Sequence, residues 1–423
     1  MARARGFGNG LAVRPCAIDR HFDKLSIALL SGDELSRAIR SRPARRNFVL
    51  FHNELLGDDV LKDQHHSRFW RTAGPPVAAA LLAAAAHFHL IGESGFYFIL
   101  PAAVLLIATV FSSVHFAEIL SLRLGQPFGS VVLAVAVTVI EASLIISMML
   151  SPSEGDSTVA RDTVFATVIT VLNGVVGLCL LIGGLRHHEQ SFQSQGAVAA
   201  FSVVGTLATL TLILPDFTLA VKGPYYSTVQ LAFVTVVSLV LYGVFLFVQT
   251  VRHRGDFVDI AVVDEVMHSR PTGRQTAAAG IMLALSLLMV IVLAEALAHP
   301  LEQGVRGLGL AEAFVGLIIA VLVLLPEGVT ALRAAASNRL QTSLNVATGS
   351  AIASVGLSIP TIAVMSMFLG KPITLGLEPE HIVLLVLTLF VGTLTLATGR
   401  TTIMQGAVHL VIFACFVLLA AVP

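Results

Sequence analysis

Two glutamates lie where the surrounding sequence offers no water. Glu141 sits in "VVLAVAVTVIEASLIISMML", 13 residues into an apolar run at 128–150 and 9 before its end. Glu327 sits in "GLIIAVLVLLPEGVTALRAAASNR", roughly 9 Å of helix rise before Arg333. An ionisable side chain at that depth costs at least about 2.5–3.5 kcal/mol on insertion scales, so each is a functional candidate. A hard cation such as Ca²⁺ takes six to eight oxygens, usually with carboxylates among them. The same carboxylates can take protons when the cation leaves, and competition for one site couples two opposed fluxes. Further oxygens would come from the Thr138, Ser143 and Ser350 hydroxyls, the Asn173 amide, water, and carbonyls freed near Pro326, which has no backbone N–H to donate. The alternative role for one buried glutamate is that of a hydrogen-bonded residue held neutral for structural reasons.

Elements long enough to span about 30 Å of hydrocarbon must carry these residues. Apolar runs fall near 75–91, 96–120, 128–150, 163–185, 197–215, 227–251, 276–298, 310–332, 342–369, 380–398 and 403–422, which predicts an all-α polytopic membrane protein of about eleven helices. The third and eighth helices enter from opposite sides, and each glutamate lies past the middle of its own helix, as an inverted repeat would place it. The helix after each is also similar. "TVLNGVVGLCLLIGG" follows Glu141 and "NVATGSAIASVGLSIP" follows Glu327, and pairing Asn173-Gly174 with Gly349-Ser350 sets small and polar residues at matching positions. Small residues there would let backbone approach an ion or another helix. His115 and Glu118 share one helical face at i, i+3, and His409 lies in the last helix; these are candidate proton relays, although a packed or capping histidine is the commoner role.

Composition agrees with this reading. Of 423 residues, 56% are hydrophobic and 12% charged, against about 45–50% and about 25% in soluble proteins. The net charge of zero hides an asymmetry: residues 1–72 carry 13 basic and 8 acidic side chains. That segment is expected to be a poorly ordered, basic cytoplasmic tail, followed by an extra helix within 73–95, a first repeat at 96–251, a cytoplasmic linker at 252–275 and a second repeat at 276–423. With the N-terminus inside, 22 Lys and Arg fall on the cytoplasmic side and 4 outside, which predicts a multi-pass protein of the inner or plasma membrane. No cleavable leader pattern opens the sequence, so the first apolar helix is expected to direct insertion. The three cysteines, Cys16, Cys179 and Cys415, are scattered, giving neither a disulfide framework nor a zinc pattern. Neutral bulk charge argues against nucleic-acid binding, and no HExxH, GxSxG or P-loop pattern points to an enzyme.

Several blocks, in order, resemble the cation/calcium exchanger family and its bacterial calcium/proton antiporters: "RLGQPFGSVVLAVAVTVIEASLIISMM", "RDTVFATVITVLNGVVGLCLLIGG", "YGVFLFVQT", "LLPEGVTALRAAASNRLQTSLNVATGSAIASVGLSIP" and "TGRTTIMQGAVHL". The resemblance covers roughly residues 96–423. It implies one extra helix plus two inverted five-helix repeats, with Glu141 and Glu327 as the acidic residues of the ion site. Two departures stand out. Val137-Thr138 and Leu324-Leu325 replace the Gly-Asn that many exchangers carry before each acidic residue, which leaves Na⁺ or K⁺ open beside Ca²⁺. The linker interleaves Asp256, Asp259, Asp264 and Glu265 with Arg and His instead of being strongly acidic. The expected activity is secondary cation/proton antiport, with a passive cation channel as the alternative. No resident cofactor is expected; the partners are the lipid bilayer and the transported cations and protons.

Overall fold

The computed structural model describes residues 57–88, 96–124, 138–143, 145–146, 158–257, 271–311, 313–370 and 372–422. The chain separates into two compact units, Met1–Arg71 and Thr72–Pro423. Residues 1–56, and with them most of the expected basic tail, lie outside the described residues, as does most of the linker, 258–270.

Helix α1 (Gly57–His87) begins ahead of its apolar run, because "DDVLKDQHHSRFWR" contains no helix-breaking residue. Helix α2 (Phe96–Leu124) follows, then a helical stretch around Glu141 described at 138–143 and 145–146. The first repeat continues as α3 (Val159–Ile169), a π turn (Thr170–Val175) and α4 (Val176–His187), then α5 (Ser194–Ala208) and α6 (Thr228–Phe247). The second repeat is α7 (Gly273–Gly307), α8 (Ala313–Ala336), α9 (Leu340–Ala353), a π turn (Ser354–Ser358) and α10 (Ile359–Leu369), then α11 (Pro379–Ala397) and α12 (Ile403–Ala421). The helix after each glutamate is thus interrupted at mid-length by a π turn, a local widening often found at functional sites.

Among the described residues, eight stretches are long and apolar enough to cross a membrane, or nine counting α8 as one bent span. Of the eleven expected, α1 falls short because its apolar part is brief and alanine-rich, and the run at 128–150 is described only around Glu141. Lipid cannot satisfy backbone polar groups, so helices are the economical solution. Capping boxes at Ser227–Gln230, Thr272–Gln275 and Thr402–Gln405 close the starts of α6, α7 and α12.

Among the described residues two large hydrophobic cores form, with a small cluster of Cys179, Ala331 and Ala335 between α4 and α8. The larger joins α3–α6 with α8–α12. The smaller joins α1, α2 and α7, and takes Ile140, Val323 and the partly buried Leu322 from the glutamate-bearing helices. Two loops tie the larger core at its ends. The α4–α5 loop pairs through β1 (Gln190–Ser191) with β2 (Arg400–Thr401), and the extended segment 372–378, buried from Ile373 to Leu377, leads from α10 to α11.

Candidate functional site

Helix α8 bends by 57° between Phe314–Leu325 and Glu327–Ala336. The break falls at Pro326, which removes one ladder hydrogen bond, and it sets Glu327 at the start of the second limb. There α8 rests on the first π turn: a Cβ at Gly328 would lie 3.6 Å from Val175 Cγ2.

Glu141 is 3% exposed. Its Oε2 accepts hydrogen bonds from Ser354 Oγ (2.7 Å) and Ser358 Oγ (3.0 Å), both on the second π turn. Thr167 also approaches the carboxylate. Oε1 of Glu141 and Oε2 of Glu327 are both buried without a hydrogen-bond partner, and the two carboxylates are close enough for their charges to act on each other. Thr170, three residues after Thr167 and on the same helical face, has a buried hydroxyl that is also unpartnered. Orphaned buried oxygens are costly. Two carboxylate oxygens in this condition suit a site that receives an ion or a proton.

Thr138 is buried one helical turn before Glu141, the face the sequence predicts. Ser143, two residues beyond Glu141, is half-buried and does not share that face. The other supporting residues need correction. Asn173 is fully buried, but its amide is spent elsewhere: Nδ2 donates to Thr388 Oγ1 (2.8 Å) and Oδ1 lies 3.0 Å from His409 Nδ1. Gly174 faces the Phe413 ring, from which a Cβ at this position would lie 3.3 Å away. Gly349 has no heavy atom within 4 Å of a built Cβ, and Ser350 is only half-buried. The hydroxyls that reach Glu141 stand four and eight residues later, because the π turn rather than the Gly-Ser pair faces the carboxylate. The i, i+4 pair Ser354 and Ser358 was the signal available for it.

The relay candidates separate from the glutamates. Thr388 donates its hydroxyl to Leu384 O at 2.7 Å, so its oxygen accepts from Asn173 Nδ2, leaving Asn173 Oδ1 to accept from His409 Nδ1–H. His409 Nε2 lies 3.2 Å from Thr395 Oγ1, which can donate to it. This closed set of bonds positions a neutral imidazole and does not reach either carboxylate. His115 and Glu118 lie 3.7 Å apart on the last turns of α2, with Glu118 exposed. Among the described residues no group of three or more His, Cys, Asp or Glu is placed to hold a metal, so any cation at Glu141 and Glu327 would need hydroxyl, carbonyl or water oxygens.

A bundle of apolar spans, with two acids whose carboxylate oxygens are buried and unpartnered, is the architecture of a multi-pass membrane protein. The family model for the sodium/calcium exchanger protein matches residues 94–251 and 278–422, and the chain belongs to that family. A Sinorhizobium fredii chain, y4hA, described only as an ionic transporter, is 53% identical over 82% of this chain and 95% of its own length. The sodium-potassium/proton antiporter ChaA of Escherichia coli is 31% identical over 74% of this chain and 86% of its own. The fold matches the solved H⁺/Ca²⁺ exchanger CAX with a TM-score of 0.61 at 14% identity, covering 83% of this chain and 93% of that one.

Proposed function

We propose that this protein exchanges a cytoplasmic cation for external protons, Glu141 and Glu327 binding each in turn. The observation that carries the reading is the pair of buried carboxylates within electrostatic reach, each with an unpartnered oxygen. Burial penalises unneutralised charge. Two carboxylates are neutralised by one Ca²⁺ or by two protons, so a Ca²⁺/2H⁺ cycle keeps the site neutral in both loaded states. Na⁺ or K⁺ is the second reading, favoured by the name of the Escherichia coli relative and by hydroxyls, not further carboxylates, around Glu141.

The excess of Lys and Arg in alternate loops orients the N-terminus inward, in the inner or plasma membrane. Access alternates as the smaller core shifts against the larger. At the end that this orientation makes cytoplasmic, a set of amides ties the larger core together: Gln190 Nε2 donates to Ala335 O and Asn338 Oδ1, both at 3.0 Å, and Gln193 N donates to Gln341 Oε1 at 2.7 Å.

Collapse of a pH gradient in inverted vesicles, on adding Ca²⁺, Na⁺ or K⁺, tests the proposal. Glu141→Gln and Glu327→Gln should each abolish exchange. Wild-type exchange in either variant overturns the shared site, and conductance without dependence on a proton gradient would mark a passive channel instead.

A further inference from the structure

At the end of the larger core opposite the amides, Arg161 near the start of α3 is only 5% exposed. It is spread over three partners: Nη1 donates to Gly376 O (2.9 Å), Nε to Asp162 Oδ1 (2.7 Å), and Nη2 lies 3.6 Å from Glu378 Oε1. Gly376 belongs to the buried extended segment 372–378. The segment's backbone N–H groups at Leu375 and Gly376 donate to Pro224 O, and that of Leu377 donates to Leu212 O. A non-helical strand of apolar side chains, Ile373, Leu375 and Leu377, is thereby held over the ends of α3 and α5. Arg161 and Thr167 are separated by about 9 Å of helix rise, so this strap lies one to two turns above the level at which α3 meets Glu141.

Glu378 is the residue before α11, yet its side chain does not cap the helix. Its other oxygen, Oε2, lies 4.0 Å from His381 Nδ1. His381 is 7% exposed, its Nδ1 is buried without a hydrogen-bond partner, and its ring lies on Phe165 with centroids 4.8 Å apart. The charged groups facing it are Arg161 and Asp162 from α3 and Glu378 and Glu380 on its own segment; α12 contributes only Phe416.

On the antiport reading and orientation proposed above, we infer that the strap 372–378 is the outer seal of the ion pathway and that His381 latches it in response to outer pH. A protonated His381 places Glu378 between two cations and fastens the strap to α3. When outer pH rises and the ring gives up its proton, Glu378, whose side chain is 53% exposed and open to water, keeps Arg161 as its one cation and the latch loosens. Acid outside keeps the seal shut, and alkali lets it open to release the cation.

The test reads the strap directly. In the full chain with its three native cysteines replaced, Ile373→Cys is labelled in intact cells by a membrane-impermeant maleimide at outer pH about 5 to about 8. The rise in labelling rate is compared with the same rise in a His381→Gln background, which cancels the thiol's own pH dependence. The His381 chain should show up to about fivefold the larger rise, the population shift of a part-exposed ion pair at the upper end of its range. Glu378→Gln should behave as His381→Gln does, and serves alone if the latter fails to fold. Equal rises in all backgrounds, or labelling only from the cytoplasmic face, overturn the inference. Labelling does not require exchange, so a failure of the glutamate site leaves this result readable.

Discussion

Removing the Ser354 hydroxyl should shift the competition between cation and proton at Glu141. Ser354 and Ser358 donate to the same oxygen, Oε2, at 2.7 and 3.0 Å. A hydrogen bond to a charged group contributes about 1.5–3 kcal/mol, and these donors favour the carboxylate over the acid. With Ser358 still in place, Ser354→Ala is expected near the lower figure, about tenfold in the equilibrium. At fixed pH the cation concentration for half-maximal pH-gradient collapse should rise about tenfold, and the pH for half-maximal exchange should move about one unit alkaline. The double variant Ser354→Ala/Ser358→Ala should deviate from the sum of the singles by about 0.5–3 kcal/mol, because both bonds share one acceptor. Ser350→Ala, one helical turn earlier and not bonded to Glu141, is the control. Wild-type cation dependence and pH profile in the double variant, or an equal shift in Ser350→Ala, would refute the reasoning.

Three further outcomes are expected. Asn173→Ala should lower thermal stability in detergent by about 1–3 kcal/mol, because His409 Nδ1–H loses its buried acceptor. Its cation dependence should stay wild-type, whereas a direct ligand would lose affinity. Gly406→Ala should destabilise by at least about 1–3 kcal/mol, since a Cβ there falls 2.6 Å from Leu181 N and 3.0 Å from Gly177 O, both backbone atoms that must move. Gly349→Ala, with open space around it, should be near neutral in the same melt. Tyr226, between α5 and α6, donates to Leu210 O, and burial together with the Asp216 charge pushes its phenol up to about 12. Tyr226→Phe should cost about 0.5–1.5 kcal/mol; the difference from wild type should be full below pH about 10, the unfolded value, and vanish as pH rises through about 12.

How far the sequence exposes this site depends on whether the signal is local. A charge inside a long apolar run is a local contradiction, so Glu141 and Glu327 stand out without any partner in view. Helix boundaries follow for the same reason: α5, α6, α11 and α12 lie within a few residues of their apolar runs. The contacts of Asn173 are not local. Its amide meets Thr388 and His409, more than 200 positions away, and nothing in "VLNGVVG" distinguishes that role from ion ligation. The π turns were equally hidden, because a single added residue per turn leaves composition unchanged, and nothing in the i, i+4 series Ser350, Ser354 and Ser358 tells which members reach Glu141. Arg161 looked like an outer-loop charge, and only the fold shows it buried against Gly376 O.

The two end clamps are reciprocal, and their chemistry differs in a way that bears on regulation. Gln341, in the first turn of α9 in the second repeat, accepts from the backbone of the first repeat's α4–α5 loop at Gln193. Arg161, in the first turn of α3 in the first repeat, donates to the backbone of the second repeat's α10–α11 strap at Gly376. Inverted repeats lead to such exchange, because each repeat supplies the helix start that the other's loop covers. The inner clamp joins the amides of Gln190, Gln341, Asn338 and Asn345, with His187 Nε2 3.1 Å from Ala336 O and the exposed pair Arg400–Glu189 beside them. The outer clamp is built from Arg161, Asp162, Glu378 and His381. On the orientation proposed above, outer pH should act through the glutamates and the His381 latch, a route that cytoplasmic pH does not share. In oriented proteoliposomes, His381→Gln should flatten the response to outer pH and leave the response to inner pH unchanged. An equal change on both faces would mean that the asymmetry of the clamps has no bearing on access.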